Sequence, residues 1–120
     1  MIIKGRSIVN GNVEGEVVKF DRPIVILGDI NEKRGTILGR EIKDKIVVFP
    51  RGAGSTVGSY TIYGLRYYGN APRAFVLKEA ETIVAAGVIM AEIPTVDMID
   101  IEKIKDGSII RVKGDSVELF

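Results

Sequence analysis

The apolar run Ile46-Val47-Val48-Phe49, followed at once by Pro50-Arg51-Gly52-Ala53-Gly54-Ser55-Thr56, constrains this chain more than any other stretch. Four consecutive apolar residues with no polar alternation read as a strand covered on both faces, so the fold needs layers on either side of a sheet. The segment from Thr56 to Tyr68 places Val57, Thr61, Leu65 and Tyr68 near helical period and reads as a helix. Gly58 and Gly64 weaken that helix by about 1 kcal/mol each against alanine, and close packing on the sheet is the expected return. A glycine-rich turn with one arginine and several hydroxyls therefore joins a strand end to a helix start. Open α/β folds place ligands and reactive groups at such junctions.

The rest of the chain extends the pattern. Ile2 to Val9 reads as a strand, and Val13 to Phe20 as its hairpin partner across Asn10-Gly11-Asn12. Ile24 to Leu27 is a short strand. Residues 28–45 are polar, contain Gly35 and Gly39, and read as a long loop of the kind that is often functional. Gly69-Asn70 with Pro72 stops the first helix. Ala74 to Leu77 is the next strand, Glu79 to Ala91 a second helix, and Ile93 to Val96 a short strand. Ile101 to Ile104 reads as a single turn, and Ser108 to Val112 with Val117 to Phe120 as a closing hairpin. The predicted architecture is α/β, a β-rich shell around a small parallel β-α-β-α-β core, in one domain spanning 1–120. At 120 residues, roughly 65% of the unfolded chain's surface can be buried.

Absences limit the chemistry. The chain contains no Cys and no His, so it has no thiolate, no imidazole base and no zinc site of the usual kind. Reactions must rely on Ser, Thr, Tyr, Asp, Glu, Lys or Arg, or on a partner that brings the metal or second catalytic group. With 17 basic and 16 acidic residues the net charge is +1, which gives no electrostatic case for nucleic acid or an anionic membrane as partner. No apolar run approaches the ~20 residues of a membrane span, and Lys4 follows Met1 too closely for a signal peptide; a cytoplasmic location is expected.

The glycine turn admits two readings. Gly52 and Gly54 allow a sharp turn and close backbone approach, Ser55 and Thr56 suit an N-cap, and Arg51 offers a planar fork for carboxylate or phosphate. Together they suit an anionic group and can lower the pKa of a nearby serine hydroxyl; equally, such a turn can be only a helix cap. It is not a P-loop, because no lysine stands at the required place, and not a nucleophile elbow, because Gly-x-Ser-x-Gly is missing. Asp97, Asp100 and Glu102 form a possible metal-binding set, weighed against ordinary surface carboxylates. Tyr60, Tyr63, Tyr67 and Tyr68 cluster on the first helix as core or interface.

The stretch Phe49 to Tyr60 resembles the signature of the small subunit of the aconitase X family. Gly11-Asn12-Val13-Glu14-Gly15-Glu16, Pro23 to Gly28, Asn70-Ala71-Pro72-Arg73-Ala74 and Ala86 to Asp97 are similar to further parts of that family, in the same order. The resemblance implies a swivelling β/β/α domain paired with a large aconitase X-type subunit, which would hold a [4Fe-4S] cluster through cysteines. One iron would act as Lewis acid on the leaving hydroxyl of a small anionic substrate. It implies that Ser55 is the base that removes a proton. More distant aconitases follow this serine with an arginine; here Thr56 and Val57 follow, and Arg51 is the candidate anion contact, with Gly52, Gly54 and Thr56 as further substrate-binding positions. The archaeal branch implies dehydration of (R)-5-phosphomevalonate to trans-anhydromevalonate 5-phosphate, and a bacterial branch implies cis-3-hydroxy-L-proline. The family often carries Gly-Gly-x-Asp-Pro-x-Thr-Gly after its third strand. Here Gly28-Asp29-Ile30-Asn31-Glu32-Lys33-Arg34-Gly35 stands instead. A non-catalytic swivelling module that binds a partner or small anion is the competing class.

Overall fold

A computed structural model describes all residues, Met1–Phe120. The chain enters through β1 (Ile2–Lys4), β2 (Arg6–Val9) and the long β3 (Asn12–Lys19). A short β4 (Ile24–Val25) runs into a distorted single turn, α1 (Ile26–Asp29), and then into β5 (Ile30–Asn31), β6 (Thr36–Ile37) and β7 (Arg40–Glu41). The central unit follows: β8 (Ile46–Phe49), β9 (Gly52–Ala53), α2 (Gly58–Tyr67), β10 (Ala74–Leu77), α3 (Thr82–Ala91) and β11 (Thr95–Asp97). A 3-10 turn over Ile101–Lys103 leads to the hairpin β12 (Ile109–Lys113) and β13 (Ser116–Leu119).

Eight strands form one sheet in the order β1-β13-β12-β3-β8-β10-β11-β2. β3, β8, β10 and β11 are parallel, with Val18 opposite Val47 and Phe75 opposite both Val47 and Thr95. The expected parallel β-α-β-α-β unit is therefore present. Period-two alternation divides its side chains between two cores. Val18, Val47, Phe49, Phe75 and Leu77 face a cluster completed by Ile62 and Leu65 of α2 and Val84 and Val88 of α3. Val17, Ile46, Val48, Ala74 and Val76 face the other way, onto Ile99, Ile104, Ile110, Val112 and Val117. Burial on both faces explains why β8 and β10 carry no polar residue.

Besides the strand expected over Ile24 to Leu27, which ends at Val25 where α1 begins, three expectations change. First, residues 2–9 do not hairpin onto β3. β1 and β2 lie at opposite edges of the sheet, yet only Gly5 separates them in sequence. The sheet thus curls round until its edges meet at Gly5, whose N–H donates to the Asp115 carbonyl at 2.7 Å. β2 is held by β11 (Asp97 opposite Arg6), so β3 pairs with β12 and β8 instead.

Second, residues 28–45 are not a long loop. β5, β6 and β7 form a three-stranded meander that buries Ile30, Ile37 and Ile42 in the helix-side core. Its strands are two residues long and its turns rest on Gly35 and Gly39 at φ +69° and +81°, too little periodicity to read from sequence. Third, Gly58 and Gly64 do not pack on the sheet. Gly58 lies under Ile26 and Ile83, and Gly64 under Glu32.

The meander is tied to the sheet by Arg40. Its guanidinium donates through Nη1 to the Lys19 carbonyl and through Nη2 to both Asp106 carboxylate oxygens at 3.0 Å. The Lys19 N–H also donates to Asp106 Oδ1 at 2.8 Å. That backbone donor first, and Arg40 next among the stabilising contacts, hold the Asp106 carboxyl below its ordinary value of 3.8. A carboxylate with a lowered folded-state pKa adds stability above its unfolded value and loses it as pH falls through the folded one. The urea midpoints of wild type and Asp106→Asn should therefore differ at neutral pH and converge in strong acid. A difference that stays constant into acid would contradict this role.

Candidate functional site

The parallel strands β8, β10 and β11 all end on one side of the sheet, and the residues just beyond them meet there. Pro50 and Arg51 follow β8, Lys78 and Glu79 follow β10, and Met98 follows β11; together they line an open cleft of about 320 Å³. This is the position at which open α/β sheets bind ligands. Backbone hydrogen bonds fix the cleft walls: Lys78 and Glu79 N–H both donate to the Pro50 carbonyl, and Met98 N–H donates to the Lys78 carbonyl, all within 3.1 Å.

A buried carboxylate braces the same corner. Asp97 is fully buried, accepts two hydrogen bonds from the Arg6 guanidinium at 3.0 and 2.8 Å, and accepts a third from Ala80 N–H at 2.8 Å. Hydrogen bonding to Asp97 raises the pKa of Arg6 above its usual value, and the nearby Glu79 charge adds to the shift. The metal-binding possibility for Asp97, Asp100 and Glu102 is overturned on these grounds. The Asp97 carboxylate is committed to Arg6 and Ala80, and no three acidic side chains converge on one point.

The glycine turn leaves this cleft toward α2. Gly52 is buried in β9 opposite Ile24; a Cβ there would stand 2.6 Å from Val84 Cγ2 and 2.7 Å from Glu81 Oε1. Its missing side chain lets the turn lie directly on the start of α3. Gly54 adopts φ +108°, which only glycine takes without strain, and it reverses the chain. Ser55 and Thr56 follow, both exposed, and Arg51 is exposed at the other end of the turn.

The helix cap expected at Ser55 or Thr56 is not formed. The N-cap of α2 is Val57, with no side-chain cap. A turn precedes the helix, closed by Gly58 N–H donating to the Ser55 carbonyl at 2.9 Å. Ser55 Oγ accepts only a long bond, 3.4 Å, from Val57 N–H. Its hydroxyl is thus free to meet another molecule while sitting near the positive end of a helix, and an N–H aimed at an oxygen favours its anionic form. By contrast α3 is conventionally capped by the Glu81 carboxylate, which accepts from Ile83 and Val84 N–H. Tyr60, Tyr63, Tyr67 and Tyr68 are exposed rather than core, which leaves the interface reading.

Arg51 and the Ser55 turn were visible in the sequence; Lys78, Glu79, Met98 and Arg6 were not singled out there. Lys78 and Met98 stand just after two apolar strands, as Pro50 does after a third. Strand ends alone could therefore have pointed to them.

The swivel-domain architecture and its exposed serine turn define a class. The chain belongs to the aconitase X swivel-domain family, whose model matches residues 2–119. Among its relatives, the phosphomevalonate dehydratase small subunit of Thermococcus sibiricus is 49% identical, the alignment covering 99% of this chain and 97% of that one. The phosphomevalonate dehydratase small subunit of Methanosarcina acetivorans is 44% identical over 93% of this chain and 85% of its own. The crystal structure of Thermococcus kodakaraensis aconitase X in its holo-form superposes with a TM-score of 0.97 at 44% identity, covering 100% of this chain and 98% of that one. No helix here is long and apolar enough to cross a membrane.

Proposed function

We propose that this chain is the small subunit of a dehydratase that converts (R)-5-phosphomevalonate to trans-anhydromevalonate 5-phosphate, with Ser55 as the base. The observation that carries the reading is the Ser55 turn: an exposed hydroxyl, unengaged as a donor and held at a helix start, in a chain similar along nearly its whole length to archaeal small subunits of that name. In the dehydration, Ser55 Oγ acts as the alkoxide: a C–H bond beside the carboxylate breaks, its proton passes to Oγ and its electron pair becomes the new carbon–carbon double bond. The hydroxyl on the neighbouring carbon departs as hydroxide, and Ser55 gives the proton up again, so that proton and hydroxide leave as one water and the alkoxide is restored. The Val57 N–H and the start of α2 stabilise the anionic oxygen that accepts the proton.

An iron–sulfur cluster does not fit the residues of this chain, which offers neither Cys nor His and no convergent carboxylates. We assign the cluster to a large subunit. The exposed tyrosines on α2, which starts three residues after Ser55, supply apolar surface for that partner next to the site.

The test is reconstitution. This chain, mixed with the large subunit from the same genome, should dehydrate phosphomevalonate and leave cis-3-hydroxy-L-proline untouched. Turnover of the proline alone would transfer the chain to the other branch. A solitary chain that binds no large subunit would make it a non-catalytic module.

A further inference from the structure

We infer that the cleft beyond β8, β10 and β11 is a phosphoryl-binding subsite, with Arg51 and Lys78 as its two cations. The identity of the phosphate, that of the substrate, rests on the dehydratase reading; the anion-binding chemistry does not.

Seven of the 17 cations, Lys4, Arg6, Lys19, Arg22, Arg40, Lys45 and Arg111, each sit within 4.0 Å of a carboxylate. Arg51 and Lys78 have neither an ion pair nor a side-chain hydrogen bond, yet both line one concave site. A guanidinium fork and an ammonium at the ends of two adjacent parallel strands both suit phosphoryl oxygens.

The lining also contains an acid, Glu79, which would repel a dianion. Arg6 and Asp97 cancel as an ion pair, and Arg51 and Lys78 against Glu79 leave the corner with an excess of positive charge.

The site is also preorganised. Lys78 is locked on both sides, its N–H to Pro50 and its carbonyl to Met98, and Ala80 is pinned by Asp97. The ordering left for anion binding is that of the two exposed cationic side chains, Arg51 and Lys78. Arg51 lies four residues before Ser55 in the same turn, so a phosphate seated here would orient the rest of the substrate relative to the base.

A second cavity of about 220 Å³ has two unpaired lysines, Lys103 and Lys105, but its lining is mainly apolar, with Ile109, Leu119 and Phe120, and it has no connection to the serine turn. It provides the control.

Inorganic phosphate is the probe, titrated into the two-subunit complex and followed by calorimetry and as a competitive inhibitor of dehydration. Lys78→Met and Arg51→Met should each weaken phosphate binding about 10- to 100-fold and lower kcat/KM for the phosphorylated substrate by a similar factor. Lys105→Met should change neither. Equal phosphate affinity in wild type, Lys78→Met and Arg51→Met would overturn the subsite. A complex that dehydrates phosphomevalonate with a kcat/KM indifferent to both substitutions overturns the subsite and leaves the proposed function standing. One that binds phosphate through Lys78 without dehydrating phosphomevalonate supports the subsite and overturns the proposed substrate.

Discussion

Gly5→Ala should lower the melting temperature of this protein by about 12 °C, corresponding to ~3 kcal/mol at about 4 °C per kcal/mol for a domain of this size. Gly5 is the single residue between the two edges of the sheet, and a Cβ there would run into the backbone carbonyl of Asp97 and press on Ile99. A carbonyl in a paired strand cannot swing aside as the end of a lysine can. Asp97 is the residue that anchors Arg6 and Ala80, so the strain would also reach the cleft. A comparison at Gly39, where no atom lies within 4 Å of an added Cβ, separates lost space from lost backbone freedom. Gly39→Ala keeps only the cost of its positive φ and should lose distinctly less. Equal losses at both positions would show that closure at Gly5 is not what holds the sheet.

That closure also marks where sequence reasoning stopped. β8 and β10 were legible to the residue because strands buried on both faces are continuous apolar runs, and 46–49 and 74–77 are such runs. The hairpin β12–β13 was legible from Lys113-Gly114-Asp115, with Gly114 at φ +59° in the turn. The pairing of β1 and β2 was not. Ile2 to Val9 shows one apolar–polar pattern, and nothing local distinguishes a strand that turns back on its neighbour from one that crosses between two sheet edges. That choice is made by long-range partners, Asp97 for Arg6 and Glu118 for Ile2.

The site shows the same division. The serine turn is local, so its glycines and hydroxyls announced it. The second wall of the cleft comes from Lys78 and Met98, some 27 and 47 residues beyond Arg51, and only parallel pairing brings them together. The apparent helix cap was misleading for a physical reason. α2 begins at Gly58, which packs against Ile26 and Ile83, and Ser55 is left outside the helix as an exposed hydroxyl.

Ser55→Ala carries the largest expected effect. With Ser55 as the proposed base, its removal should cost about 10²- to 10⁴-fold in rate, and no other side chain of the turn is placed to take over. Thr56 is the nearest hydroxyl, but it follows the reversal at Gly54 by one residue more and receives no N–H from the start of α2. Stability should hardly change, because the Ser55 side chain is exposed and makes one long hydrogen bond, while its structural contact to Gly58 is through the backbone carbonyl. Assembly with the large subunit should persist for the same reason. The loss should therefore fall on kcat rather than on complex formation, the pattern of a group that acts in the transition state.

The most direct measurement is the steady-state dehydration of phosphomevalonate by two complexes built from one large-subunit preparation, one with the wild-type small chain and one with Ser55→Ala, each verified by gel filtration to hold both subunits. The proposed role of Ser55 predicts that the Ser55→Ala complex forms normally and turns over at least ~100-fold more slowly. A Ser55→Ala complex that dehydrates phosphomevalonate at the wild-type rate would contradict the assignment of Ser55 as the base.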